Sequence, residues 1–267
     1  MRYMVSGFAL LLFVALPASA DWTPADGHKM HYPQLPDPNG WDVAVWTAPE
    51  PPVAGVQLAD DWRCSQTGPV SDIHLWFSIR GGQLTPEDLE PGKLRFTIYS
   101  NDPGPPSKPG VVLWQHEIDP ETVGLAGPFS GDQGWFDPST GQALLNDHSQ
   151  YWQLNVENIA DPFEQQEGTI YWLGFELEIY DQQGVPFTGV GWKTSQDHFE
   201  DDAVWAPIDP GAPPAWQELR DPRTDESLDL AFVITGEGTI VPEPATMALA
   251  SLGLAGLGGY VRRRRKA

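Results

Sequence analysis

Carboxylates dominate the chemically competent side chains of this chain. Three groups stand out: Asp60-Asp61, the run from Asp197 to Asp202 with Glu200 and Asp201 inside it, and Asp225-Glu226 with Asp229. Clusters of oxygen donors suit calcium, which takes roughly six to eight of them at about 2.3–2.6 Å. No spaced D-x-D-x-D-G loop accompanies these, so the competing reading is solvated loop charge that keeps the chain soluble. Asp197, Asp201 and Asp202 are the first candidates for a structural calcium ion, because they crowd one expected loop where mutual repulsion calls for a counter-ion. A second pairing, Glu176 and Glu178, falls on one face of an alternating stretch. Retaining glycoside hydrolysis needs two carboxyl groups about 5–5.5 Å apart, yet two glutamates are also what the solvent face of an acidic sheet displays.

Tryptophan is the unusual enrichment, with 12 in 267 residues. Trp76 falls opposite the apolar set Ile73, Leu75, Phe77 and Ile79, beside His74 and Ser78, and Trp172 shares the Glu176/Glu178 face with Tyr180. An aromatic ring on a polar sheet face can stack on a sugar, which makes Trp76, Trp172 and Tyr180 candidate glycan-binding residues. The plainer reading is burial on both faces, under the second sheet on one side and under the N-terminal segment or a loop on the other. His28 and His31 would bind a metal only if another segment completed the shell. His74 and His116 fall on strand faces, and His148 and His198 near loops. There is no G-x-S-x-G elbow and no phosphate-binding glycine loop, so no cofactor is expected. The single Cys64 excludes an internal disulfide framework and reads as a small buried residue.

The elements that would position these groups are strands. Apolar residues alternate with period two at Ile73–Ile79, Leu94–Ile98, Trp152–Val156, Leu173–Ile179 and Leu228–Ile234. Clusters of turn formers separate them at Asn101–Pro106, Phe136–Gly141 and Asp209–Pro214. Proline at this density, 27 residues, cannot occupy central strands, because each one removes a ladder donor. The helix-like start Thr85-Pro86-Glu87-Asp88 is cut short by Pro91-Gly92. About nine to eleven strands over residues 41–236, without interleaved helices, argue for an all-β fold, an antiparallel β-sandwich that is jelly-roll-like, with a barrel as runner-up. Residues 21–40 carry turn formers and almost no alternation, and are expected to lie extended along the body.

Both ends read as addresses. Residues 1–20 carry Arg2, the apolar run Phe8–Leu16, Pro17 and the small residues Ala18-Ser19-Ala20: a secretory signal peptide with cleavage after Ala20. The other end orders Pro242-Glu243-Pro244, an uncharged stretch Ala245–Val261, and the bases Arg262, Arg263, Arg264, Arg265 and Lys266. Its length sits at the lower limit for a transmembrane helix, and the basic tail stays cytoplasmic. The body between the ends then lies outside. That body carries 9 basic against 36 acidic residues, a balance of about −27, which repels nucleic acid.

The C-terminal order of three parts resembles the PEP-CTERM sorting signal of exported bacterial proteins. The resemblance implies processing by an exosortase near Pro242-Glu243-Pro244 and release or attachment at the cell surface, often within an exopolysaccharide matrix. The stretch His28–Trp41, the motif Leu58-Ala59-Asp60-Asp61-Trp62 with Cys64, and Gly191-Trp192-Lys193-Thr194-Ser195 resemble a group of secreted domains found in PEP-CTERM proteins of planctomycete-like bacteria. That group implies no activity or site residues. Expected domains are therefore a signal peptide at 1–20, an extended segment at 21–40, the sandwich at 41–236, and a linker with sorting signal at 237–267. The expected role is structural or adhesive and non-catalytic, at the surface or in the extracellular matrix. A carbohydrate-binding module is the first alternative and a glycan-active hydrolase using Glu176 and Glu178 the second, although the E-x-D-x-x-E strand pattern of jelly-roll glycoside hydrolases is broken at its middle position and at Asp181. Expected partners are signal peptidase and exosortase during export and exopolysaccharide afterwards. The membrane is touched only through the terminal segments.

Overall fold

Alternation becomes strand, and little else forms. The computed structural model describes residues 21–48, 55–209 and 211–236. The strands in chain order are β1 (Trp41–Ala44), β2 (Trp46–Thr47), β3 (Gly55–Arg63), β4 (Gly68–Val70), β5 (Asp72–Ile79), β6 (Leu89–Asp102), β7 (Lys108–Ile118), β8 (Gly124–Asp137), β9 (Gln142–Val156), β10 (Phe163–Gln165), β11 (Ile170–Asp181), β12 (Val190–Lys193), β13 (Val204–Pro207), β14 (Gln217–Glu218) and β15 (Phe232–Thr235). Helix among the described residues is limited to 3-10 turns such as Pro86–Asp88, where Thr85 and Asp88 cap each other's backbone. That turn ends at once, and Pro91 and Gly92 lie inside β6 instead of terminating a helix. No helix of the described residues is long and apolar enough to cross a membrane. The expected signal peptide with Ala18 and Ala20, and the whole of 237–267 with Pro242, Glu243, Pro244, the stretch 245–261 and Arg262–Arg265, lie outside the described residues.

A six-stranded sheet runs β12-β1-β8-β9-β5-β15, and a seven-stranded sheet runs β14-β13-β3-β11-β6-β7 with β2 also on β3. Because β12 pairs with β5 as well as β1, the strands β1, β8, β9, β5 and β12 close on themselves. One pairing departs from the antiparallel expectation: β1 runs parallel to β8, with Trp41 opposite Gly134 and Val43 opposite Phe136. Six other strands, with members of both sheets among them, separate β1 and β8 in the chain, so no hairpin forces the two antiparallel.

The core lies between these sheets. Phe175 of β11 meets Trp192 of β12 edge-on at 5.8 Å between ring centroids, and Trp62 of β3 meets Phe232 of β15 at 6.2 Å. Ile73, Leu75, Phe77 and Ile79 all join this cluster, which is why their alternation was visible. The opposite face of the six-stranded sheet is covered too. Residues 21–40 lie along the body through isolated bridges, Met30 to Cys64, Gln34 to Phe232 and Pro36 to Ser195, and Trp22 is buried against Trp76 at 6.2 Å. The compact unit that contains all of this ends at Gly236.

Candidate functional site

The candidate glycan-binding rings do not form a platform. Trp76, on β5, is buried under Trp22 of the N-terminal segment. Trp172, on β11, is 0% exposed. It packs with Ala59, Tyr99, Val204 and Trp216 on the outer face of the seven-stranded sheet, and its Nε1 donates to Asn101 Oδ1 at 2.9 Å. The two rings therefore belong to different sheets. Tyr180 is half-buried, with its hydroxyl on the Glu178 carboxylate. Glu176 accepts from Arg95 Nη1 at 3.3 Å; burial raises its pKa, and the arginine offsets part of that.

The candidate calcium trio is dispersed as well. Asp197 Oδ2 accepts from the Leu35 amide at 3.3 Å. Asp201 Oδ2 accepts from the Ser107 hydroxyl at 2.6 Å and its amide at 3.2 Å. Asp202 Oδ2 lies 2.6 Å from Arg220 Nη2. Among the described residues no three His, Cys, Asp or Glu side chains form a group that could hold a metal ion by themselves.

What the fold does bury is the motif Asp60-Asp61 together with Asp229. Both aspartates of β3 are fully buried. Asp60 Oδ2 accepts from the Leu230 amide at 2.6 Å and from Gln34 Nε2 at 3.1 Å, and its Oδ1 accepts from the Asp61 amide at 2.8 Å. Asp229 Oδ2 accepts from the Phe199 amide at 2.6 Å. Asp61 has no partner on either carboxylate oxygen, and Asp229 Oδ1 has none either, with His198 Nδ1 3.5 Å away. Burial, then the charges of Asp229, Glu200 and Asp201, push Asp61 up to about 9 against the pull of Arg63. Burial likewise raises Asp229 to about 6, and burial with the neighbouring Asp229 and Asp61 carries Asp60 well above the usual carboxylate range.

A second buried polar network sits on β1, β8, β9 and β12. Asp42 Oδ2 takes Lys193 Nζ at 3.3 Å and His148 Nε2 at 3.1 Å, with all three side chains fully enclosed. Lys193 also donates to Gln133 Oε1, and Gln133 to the Pro38 carbonyl. Register explains the meeting, since Asp42 stands directly opposite Lys193 and Trp135. Gly191 permits it, because a Cβ there would come within 2.9 Å of the Asp42 side chain. With all three side chains enclosed, the triad ties β1, β9 and β12 together.

One accessible polar feature is a groove of about 410 Å³ lined by Asp37, Trp41, Asp132, Thr194, Asp221 and Glu226, among others. Trp41 Nε1 donates to Asp221 Oδ2 at 2.7 Å. Burial pushes Asp221 up, but hydrogen bonds from Trp41, Arg223 and Thr224 outweigh it and leave the carboxyl below its ordinary pKa.

The family model described as Domain of unknown function (DUF7901) matches residues 30–235. Those limits are Met30, which bridges Cys64, and Thr235, the last residue of β15. The chain belongs to the DUF7901 family. A second model, the PEP-CTERM protein-sorting motif, matches residues 241–266, the span that holds Pro242-Glu243-Pro244 and the arginines. This DUF7901 protein is accordingly an exported protein carrying an exosortase-dependent sorting signal. No curated protein and no solved structure matches it. Within the DUF7901 fold, Asp60-Asp61 and Asp229 are carboxylates that the sequence singles out, but their complete burial and their meeting, like the Asp42–Lys193–His148 triad, escaped sequence reasoning. The only signal for them was that Asp60-Asp61 sits inside an apolar stretch and Lys193 directly follows Trp192.

Proposed function

We propose that this DUF7901 protein is a non-catalytic structural or adhesive component of the bacterial surface or its extracellular matrix, built on a jelly-roll-like sandwich. Signal peptidase removes residues 1–20, the stretch 245–261 holds the chain transiently in the inner membrane, and exosortase acts near Pro242-Glu243-Pro244. The observation that carries the adhesive part is β7, which pairs only with β6 and ends its sheet. Val111, Val112 and Leu113 there are 68%, 56% and 44% exposed. An exposed apolar edge strand is a surface for association. Support for the non-catalytic part comes from Glu176 and Glu178, which are engaged by Arg95 and Tyr180.

The polar groove favours one second reading, a carbohydrate-binding module. Asp37, Asp132, Asp221 and Glu226 offer acceptors to sugar hydroxyls, and exopolysaccharide is the partner this would bind. A host with and without its exosortase separates the cases. Loss of surface retention and matrix cohesion without exosortase, with no turnover across a polysaccharide panel, is the expected result. Turnover that disappears in Glu176→Gln would replace the structural reading with a hydrolase. Glycan-array binding that disappears in Asp132→Ala would favour the module.

A further inference from the structure

Asp61 is a carboxyl group that water does not reach and that no protein donor meets. It is 0% exposed, and both Oδ1 and Oδ2 lack a hydrogen-bond partner. Leaving such a group unpaired costs more than almost any other buried defect. Its amide is used locally, donating to Asp60 Oδ1, so the strand fixes its backbone while the side chain stands free. The charged groups that act on it are Asp229, Glu200, Asp201 and Arg63. Arg63 is already ion-paired to Glu200, and Arg220 to Asp202, which leaves Asp61 without a cation of its own. Asp229 brings a second buried oxygen, Oδ1, which no hydrogen bond of good geometry meets, with the exposed His198 Nδ1 3.5 Å away.

We propose that Asp61 and the Oδ1 of Asp229, whose neighbour is the half-exposed His198 at 3.5 Å, hold a hard divalent cation of the calcium class, where β3 meets the segments 196–203 and 228–230. The donors are all oxygen, the set that calcium and magnesium favour over transition metals. Two carboxylates supply at most four oxygens, so the rest of the shell falls to backbone carbonyls and water, as calcium permits. Asp60 is not a ligand, since both of its oxygens already accept from Leu230, Gln34 and Asp61. Asp197, Asp201 and Asp202, which the spacing in sequence favours, are likewise engaged, by the Leu35 amide, Ser107 and Arg220. A cation at Asp61 would tie β3 to two segments more than 130 residues downstream, and so act on stability.

The purified full chain, stripped with EDTA, is titrated with CaCl2 or MgCl2 by calorimetry and followed by thermal melting. Terbium luminescence is read in parallel, because Trp172 stands opposite Asp61 across the β3–β11 ladder and serves as a sensitiser. Saturable binding of one calcium, a Tm that climbs with the logarithm of its concentration, and terbium emission that calcium quenches are expected. Asp61→Asn should weaken calcium binding at least tenfold while leaving the chain folded by circular dichroism, and Asp197→Asn should leave binding unchanged. If Asp61→Asn does not fold, Asp229→Asn is read the same way. Identical Tm in EDTA and calcium with no terbium emission would overturn the assignment in favour of a protonated Asp61. Calcium binding that survives both Asp61→Asn and Asp229→Asn would overturn it in favour of another site.

Discussion

Replacing Lys193 by methionine tests how far the enclosed triad holds the first sheet together. The ammonium sits at zero exposure, 3.3 Å from Asp42 Oδ2, and also donates to Gln133. Methionine keeps most of the volume, so little of the effect comes from a cavity. The change leaves the buried Asp42 carboxylate with His148 alone and strips Gln133 Oε1 of its donor. Removing one partner of a buried ion pair costs about 3–5 kcal/mol. For a domain of this size a loss of 1 kcal/mol lowers Tm by roughly 2–4 °C, so the fall should be on the order of 6–20 °C in a tryptophan-fluorescence melt. Asp42→Asn added to Lys193→Met should then cost much less than Asp42→Asn alone, because the two groups are coupled. A fall below about 3 °C, against the same conversion, or strict additivity of the two changes, would refute a stabilising role for the pair.

The same geometry makes further predictions. Trp172→Ala should cost about 3–5 kcal/mol in denaturant unfolding, because the ring is fully covered; a loss under about 1 kcal/mol would contradict the packing on the outer face. His31 is held down to about 4, chiefly by burial and next by Arg63. Its folded pKa lies below the unfolded value of 6.5, so stability is full above pH 6.5 and is lost as pH falls toward 4. The shift corresponds to about 3 kcal/mol, reduced to roughly 1–2 because the ring is only partly enclosed; His31→Phe should flatten that part of the pH–Tm profile. Val112→Lys should leave the unfolding free energy within about 0.5 kcal/mol of the parent while reducing adhesion of cells that display the protein; unchanged adhesion would count against β7 as the contact surface.

How much of this was legible follows from how each strand is buried. β5, β6 and β11 turn one face to the core between the sheets, so their apolar residues alternate and read directly as strands. The first half of β7 and the outer parts of β8 and β9 are largely exposed on both faces and carry no period-two signal, whereas Trp114, His116 and Ile118 at the end of β7 alternate with exposed Gln115 and Glu117. Pro109 fits there because β7 is an edge. β3 fails in the opposite way. Nearly all its residues are buried, so the sequence leaves Asp60-Asp61 open between calcium ligation and solvated charge, and the packing of residues 196–203 and 228–230 against β3 is what removes the water. Trp76 and Trp172 were ambiguous for the same reason: alternation reports a face, and the cover over that face is supplied by Trp22 in one case and Trp216 in the other.

Export and sorting are tested most directly by intact-mass spectrometry of the protein recovered from an exosortase-bearing host. The account predicts a chain in the surface or extracellular fraction that begins at Asp21 and ends near Pro242-Glu243-Pro244, with the tail retained when exosortase is deleted. Recovery of the untrimmed chain from Met1 to Ala267 in the cytosol of the exosortase-bearing host would contradict it.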